Sequence, residues 1–247
     1  MGISLSFLEF FDLCHQQGAL CSPMVALGTL QINDPEWVIQ LYNERNPCWK
    51  RDHEHGVRSL FRDRYGVTDY RDCDLNDKAD LTLDLNRPVT KDLVDTVNTV
   101  LNGGTLEHIF DAARAFSNMH ELTREGGSII HLAPITWYDH GYYNLNPKVF
   151  NAIADANKYS LMAEAFWFTS DVLHRTPSET DASGSGNVEK AMKPKCYITY
   201  DGHKHTDERE IISKLFCADF VPRNSLYLAA YKKTCSKIFE FPYDVAR

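Results

Sequence analysis

The chain has 247 residues, 43% hydrophobic and 24% charged, close to the composition of ordinary globular domains, which excludes a disordered or fibrous protein. A formal net charge of -8, from 26 Lys and Arg against 34 Asp and Glu, repels a phosphate backbone, so nucleic acid is not an expected partner. The longest apolar runs, such as Leu161 to Phe168, fall short of the ~20 residues of a membrane helix, and Glu9 and Asp12 interrupt an N-terminus that has no basic region, so the protein reads as cytoplasmic.

The opening segment places Phe7, Phe10, Phe11 and Cys14 at helical spacing, with Ser6 and Glu9 spaced as a capping box and Gly18 as the stop. Met24 to Leu27 predicts a short buried strand ending at Gly28, and Asp34-Pro35 opens a helix through about Arg45. After a polar stretch, Val57, Leu60, Phe61 and Tyr65 predict a second helix closed by Gly66. Strands follow at Val67 to Cys73, Leu81 to Leu85 and Val97 to Leu101. Leu106, Ile109, Ala113, Phe116 and Met119 then recur at helical spacing, Gly126 and Gly127 end that helix, and Ser128 to Ala133 is a further strand stopped by Pro134. Ser160 to Phe168 and Leu226 to Tyr231 complete the strands, and Asp207 to Phe216 reads as a further helix.

Strands alternating with helices predict an α/β fold, a Rossmann-like doubly wound, mostly parallel sheet with helices on both faces. One domain is expected over 1–247, with a flexible insertion at 174–206 around the Ser-, Gly- and acid-rich Thr176 to Asn187. Asp74 and Asp84 are only ten residues apart, too close for a helical crossover, so either the intervening helix is missing or one strand is misplaced.

The segment Leu101 to Ile135, LNGGTLEHIFDAARAFSNMHELTREGGSIIHLAPI, with its continuation His140 to Phe150, HGYYNLNPKVF, resembles class I S-adenosylmethionine-dependent methyltransferases. Within that family it is similar to a bacterial methyltransferase-like subfamily associated with surface polysaccharide synthesis. The resemblance implies S-adenosyl-L-methionine as cofactor, lying across the carboxyl ends of the strands. Carried onto this chain it implies Gly28 and Thr29 at the first turn, Asp74 on the ribose hydroxyls, and Asp84, Leu85 and Asn86 facing the adenine. The bend at Asn102, Gly103 and Gly104 would sit at the crevice mouth, which places backbone near a ligand. The family's glycine-rich first turn is reduced here to Gly28 followed by Thr29 and Leu30. Two readings stand beside each other: methyl transfer to an oxygen or nitrogen of a small or carbohydrate-like acceptor, and a domain that keeps the fold as a scaffold or partner without catalysis.

His140 follows the strand Ser128 to Ala133 in a loop with Trp137, Tyr138, Tyr142 and Tyr143. It is the candidate base, with Tyr142 and Tyr143 lining the acceptor pocket and the 176–206 segment as a lid. His108 lies on an amphipathic stretch and reads as a packed histidine. The pairs His53/His55 and His203/His205 lack a clear third ligand, and the seven scattered cysteines include no CxxC pair, so no metal site or disulfide framework is expected.

Overall fold

A strand whose side chains are apolar on both faces must be covered on both faces, and the middle of this sheet is built that way. The computed structural model describes residues 2–34, 56–168, 195–199 and 225–243. Along β2 (Met24–Leu27), Met24 and Ala26 enter one apolar core while Val25 and Leu27 enter another, as the period of two requires. The first core is completed by α1 (Leu8–Gln16) and α2 (Gly56–Tyr65), the second by α3 (Ala112–Leu122) and α4 (Pro147–Asn157). The result is the three-layer, doubly wound α/β architecture expected from the alternation of elements.

The parallel strands are β4 (Tyr70–Asp74), β5 (Leu81–Thr82), β6 (Val97–Gly103) and β7 (Thr123–Thr136), which with β2 lie in the order β5-β4-β2-β6-β7. On the far side of β7 come β10 (Ser225–Lys233), β8 (Tyr159–Phe168) and β9 (Lys195–Thr199), each antiparallel to its neighbour. A separate two-stranded sheet pairs β1 (Gly2–Ile3) with β3 (Gln31–Ile32). From β2 the chain builds outward through β4 and β5, then returns to β6 on the other side of β2. Strand order therefore reverses between β2 and β6, the place where such sheets open a crevice at their carboxyl ends.

Several expectations need correcting. The residue at the N-cap of α1 is Phe7, without a side-chain hydrogen bond, rather than Ser6. The turn before α1 is held by Asp34, which accepts the Leu5 N–H at 2.6 Å and the Ser4 hydroxyl at 3.0 Å. The helix expected after Asp34, the helix at 207–216, both HxH pairs and all of 174–206 except β9 lie outside the described residues. Between β4 and β5 there is no helix. None is needed, because β5 pairs only with Cys73 and Asp74 at the very end of β4, so the connection does not have to run back along the sheet.

Gly126 and Gly127 do not end a helix; they sit inside β7. Between its pairings Val97↔Thr123 and Thr99↔Ser128, β7 makes five residue steps against two of β6, a bulge. Gly126 takes φ 80° there, and a Cβ on Gly127 would meet the Asn98 carbonyl at 2.7 Å. The helix stops earlier, at Leu122, where the Lys233 ammonium accepts no exposure to water and instead donates to the His120 and Thr123 carbonyls and to Asp95. Such a cation satisfies the open carbonyls of a helix end. Pro134 remains within β7 because it lies past Gly103↔Leu132, the last pairing with β6, where a missing N–H is tolerated on an open edge.

His131 faces the second core from β7, its ring 4.8 Å from that of Phe150 and 5.9 Å from that of Phe116. Its Nδ1 has no partner, and burial pushes its pKa from 6.5 down to about 3. The unfolded chain thus binds a proton below about pH 6.5 that the folded chain refuses until about pH 3, and stability is lost as pH falls across that window. His131→Phe should remove this loss. Urea melts of parent and variant should show the difference in unfolding free energy moving in the variant's favour as pH drops from about 7 to about 4; a difference that stays constant would mean His131 titrates alike in both states.

Candidate functional site

At the carboxyl end of β2 the chain leaves the sheet through Gly28, whose φ of 77° is the left-handed conformation that a side chain disfavours. The Gly28 N–H donates to the Cys73 carbonyl at 2.7 Å, and the next N–H, of Thr29, donates to Asp74 Oδ2 at 3.1 Å. Asp74 also accepts from the Leu75 N–H at 2.7 Å. Partial burial would raise its pKa, but the N–H groups of Thr29, Leu75 and Asn76 outweigh it and hold the carboxyl below its ordinary value. The acidic residue that ends β4 thereby fixes the turn after β2.

Across the strand-order reversal, β6 ends on Asn102 and Gly103. Asn102 is fully buried, and its Oδ1 accepts the N–H groups of Thr105 and Leu106, both at 3.0 Å. An oxygen that accepts two N–H groups fixes the other end of the amide as Nδ2, and that atom has no partner; neither has the buried Thr29 Oγ1. The Thr105 hydroxyl donates to the Leu27 carbonyl and ties the two strand ends together. Gly104 takes φ 86°. The bare face of Gly103 is filled by Leu30, since a Cβ there would lie 2.8 Å from Leu30 Cδ1.

The turn after β6 delivers Glu107. Its carboxylate, 1% exposed, has Oε1 3.5 Å from His140 Nε2, while Oε2 has no partner. Burial raises its pKa to about 7. The His140 ring lies 5.0 Å from that of His108 and 4.8 Å from that of Trp137. Burial, with His140 beside it, lowers the pKa of His108. The loop carrying His140 is registered on the turn by the backbone: the Tyr142 N–H donates to the Glu107 carbonyl at 2.8 Å, and a Cβ on Gly141 would meet that same oxygen at 2.8 Å.

The expected site residues therefore fall into three groups. Gly28, Thr29, Asp74, Asn102, Gly103 and Gly104 share the carboxyl ends of adjacent strands β2, β4 and β6. Asp84 and Asn86 stand one strand further out, beyond β5, where Asp84 accepts from both the backbone and side-chain N–H groups of Asn86 and has its pKa lowered by them. Leu85 between them is a core residue, 4% exposed, and its carbonyl accepts from Asn118. In the third group, His140 meets Glu107, Tyr142 is 68% exposed, and the Tyr143 hydroxyl donates to the Phe110 carbonyl at 2.7 Å. Sequence reasoning passed over Glu107 and took His108 for packing. The available signal was a carboxylate set between Leu106 and Ile109.

An open hollow of about 460 Å³ lies at the opposite end of the parallel strands, lined in part by His120, Lys233 and Lys237. Several of its polar groups are already used: His120 bonds Tyr159 and the Lys237 carbonyl, and Lys233 is held as described above. At the carboxyl-end site, by contrast, Thr29 Oγ1, Asn102 Nδ2 and Glu107 Oε2 are buried without partners.

No family model matches the chain, and no curated protein matches it. Solved structures similar to it include an S-adenosylmethionine-dependent methyltransferase from Archaeoglobus fulgidus, 12% identical over 91% of this chain and 94% of that one with a TM-score of 0.43. Another is such an enzyme from Mesorhizobium loti, 12% identical over 91% and 97% with a TM-score of 0.43. A third is the MccD protein, 11% identical over 91% and 96% with a TM-score of 0.42. Each is a likeness of chain path, and the chemistry of this chain rests on its own residues. Among the described residues no helix is long and apolar enough to cross a membrane.

The contact between the His140 loop and the Glu107 turn is checked by Gly141→Ala. The added methyl group meets backbone, which cannot step aside, so overpacking should cost about 1–3 kcal/mol and lower the melting temperature by about 2–12 °C. An unchanged melting temperature would show that the loop is not seated on Glu107.

Proposed function

We propose that the crevice binds S-adenosyl-L-methionine and serves methyl transfer to an oxygen or nitrogen of a small or carbohydrate-like acceptor. The observation that carries this reading is the pair of buried polar atoms without partners, Thr29 Oγ1 and Asn102 Nδ2, at two strand ends that each turn on a positive-φ glycine. Buried polar atoms left open in a native fold call for a polar ligand or water. The residues fit an adenosyl ligand in part. Gly28, Thr29, Asn102 and Gly104 would hold its amino-acid portion by backbone and amide groups, Asp74 retains acceptor capacity for ribose hydroxyls, and Asp84 with Asn86 would face the base. Leu30 is the poor fit: it fills the space over Gly103, so binding requires that side chain to turn aside.

When bound, the sulfonium supplies a methyl group that is already activated. What remains for the chain is to align the acceptor and take its proton. His140 is assigned that proton in the ion-free protein: its ring is partly exposed, backed by Trp137, and steadied by the Glu107 carboxylate. Tyr142 and Tyr143 flank the acceptor side.

A second reading, a scaffold that binds no cofactor, is favoured by Leu30 in the cradle and by the use of Asp74 on the Thr29 N–H. Calorimetric titration with S-adenosylmethionine and S-adenosylhomocysteine decides between them. One equivalent bound at micromolar to sub-millimolar concentration, weakened about tenfold in Asp84→Ala by loss of a hydrogen bond, is expected. No binding of either at millimolar concentration replaces the proposal with the scaffold. Once an acceptor is known, His140→Ala should lower turnover about 10²- to 10⁴-fold with cofactor affinity intact; turnover within a few-fold of the parent would return His140 to a packing role.

A further inference from the structure

We propose that Glu107, His108 and His140 form a binding site for a divalent transition-metal ion, with zinc as the best match. One carboxylate oxygen and one imidazole nitrogen from each histidine lie within 4.8 Å of one another. The Glu107 Oε1 to His140 Nε2 distance, 3.5 Å, is long for a hydrogen bond. It is close to the separation of about 3.3 Å between two ligands of a tetrahedral ion with bonds of about 2.0–2.1 Å.

The independent observation is Glu107 itself. Its side chain is 1% exposed and Oε2 meets no donor. An open carboxylate oxygen in a protein interior is costly unless a cation or donor satisfies it. The described residues bring both histidines toward this carboxylate, whose hydrogen bond is to the N–H of Glu107 itself.

The array is also held in place before any ion arrives. Asn102 fixes the turn that projects Glu107 and His108, and the Tyr142 N–H to Glu107 carbonyl bond fixes the loop that carries His140. Gly104 leaves the space beside Glu107 Oε1 free of a side chain; a Cβ there would lie 3.3 Å from that oxygen. Two imidazoles and one carboxylate suit zinc and its first-row neighbours rather than magnesium or calcium, which take oxygen ligands. Three protein ligands leave a position for water or an acceptor hydroxyl. This goes beyond the methyl-transfer reading and does not depend on it: with an ion in place His140 is a ligand, and the cation rather than the imidazole lowers the pKa of a bound hydroxyl.

The test uses the full chain, stripped with a chelator, and the metals alone. Zn2+ titrated by calorimetry should bind as one equivalent that Glu107→Gln, His140→Ala and His108→Gln each weaken by at least about 100-fold, since even loss of a supporting contact costs about 10- to 100-fold. Co2+ should give visible absorption of a four- or five-coordinate site that the same variants abolish, and millimolar Mg2+ should not compete. His108 lies at the surface, so His108→Gln remains informative if the Glu107 variant fails to fold. No binding of Zn2+ or Co2+ at millimolar concentration overturns the proposal. An equivalent that binds unchanged in all three variants overturns it too, by locating the ion elsewhere. Because the probe is the metal alone, the outcome is independent of whether an adenosyl ligand binds.

Discussion

The Asn102 carboxamide, accepting the N–H groups of Thr105 and Leu106 at the end of β6, is the interaction on which the candidate site depends. It turns the chain sharply as it leaves the sheet, next to the place where strand order reverses. The turn brings the Thr105 hydroxyl onto the Leu27 carbonyl, so the ends of β2 and β6 are tied together. It also throws Glu107 inward, and the Glu107 backbone carbonyl then receives the Tyr142 N–H. Three segments far apart in sequence are thus located by one side chain buried between them. Replacing that amide by an apolar residue of similar size would leave two buried N–H groups open, at a cost of about 1–3 kcal/mol each.

The fold was legible wherever the chain follows a single period. β2, α2, β6, β8 and β10 have a mainly apolar pattern of one period, and each forms at or near its expected place. Errors arose where a local signal had a different cause. The glycine pair before Ser128 reads as a helix stop, since glycine commonly ends helices, but these glycines allow β7 to bulge against Asn98. Pro134 reads as a strand end, yet it lies where β7 has already lost one neighbour. The short spacing between Asp74 and Asp84 gave a true warning: the crossover helix is absent because β5 is only two residues long.

The site was legible by position more than by partner. That Gly28, Asp74 and Asn102 to Gly104 gather at neighbouring strand ends follows from the alternation of strands and turns. What the sequence could not reveal is how those residues use their hydrogen bonds. Asp74 is engaged by Thr29, and the open face of Gly103 belongs to Leu30; both are contacts between strands whose register is set by the whole sheet. The convergence of Glu107, His108 and His140 was hidden for the same reason, because the length of β7 separates His140 from the turn it meets. A carboxylate set between Leu106 and Ile109 is a local signal, but its partners are tertiary.

The central claim is that the carboxyl ends of β2, β4 and β6 form one ligand site. Amide hydrogen exchange of the full chain, with and without saturating S-adenosylhomocysteine, tests it most directly, because it reports where a ligand sits. Added protection is expected in peptides spanning 27–30, 74–86 and 102–108 together, with little change along β8 and β10. Protection confined to other segments, or bound ligand that leaves those three segments exchanging as before, would contradict it.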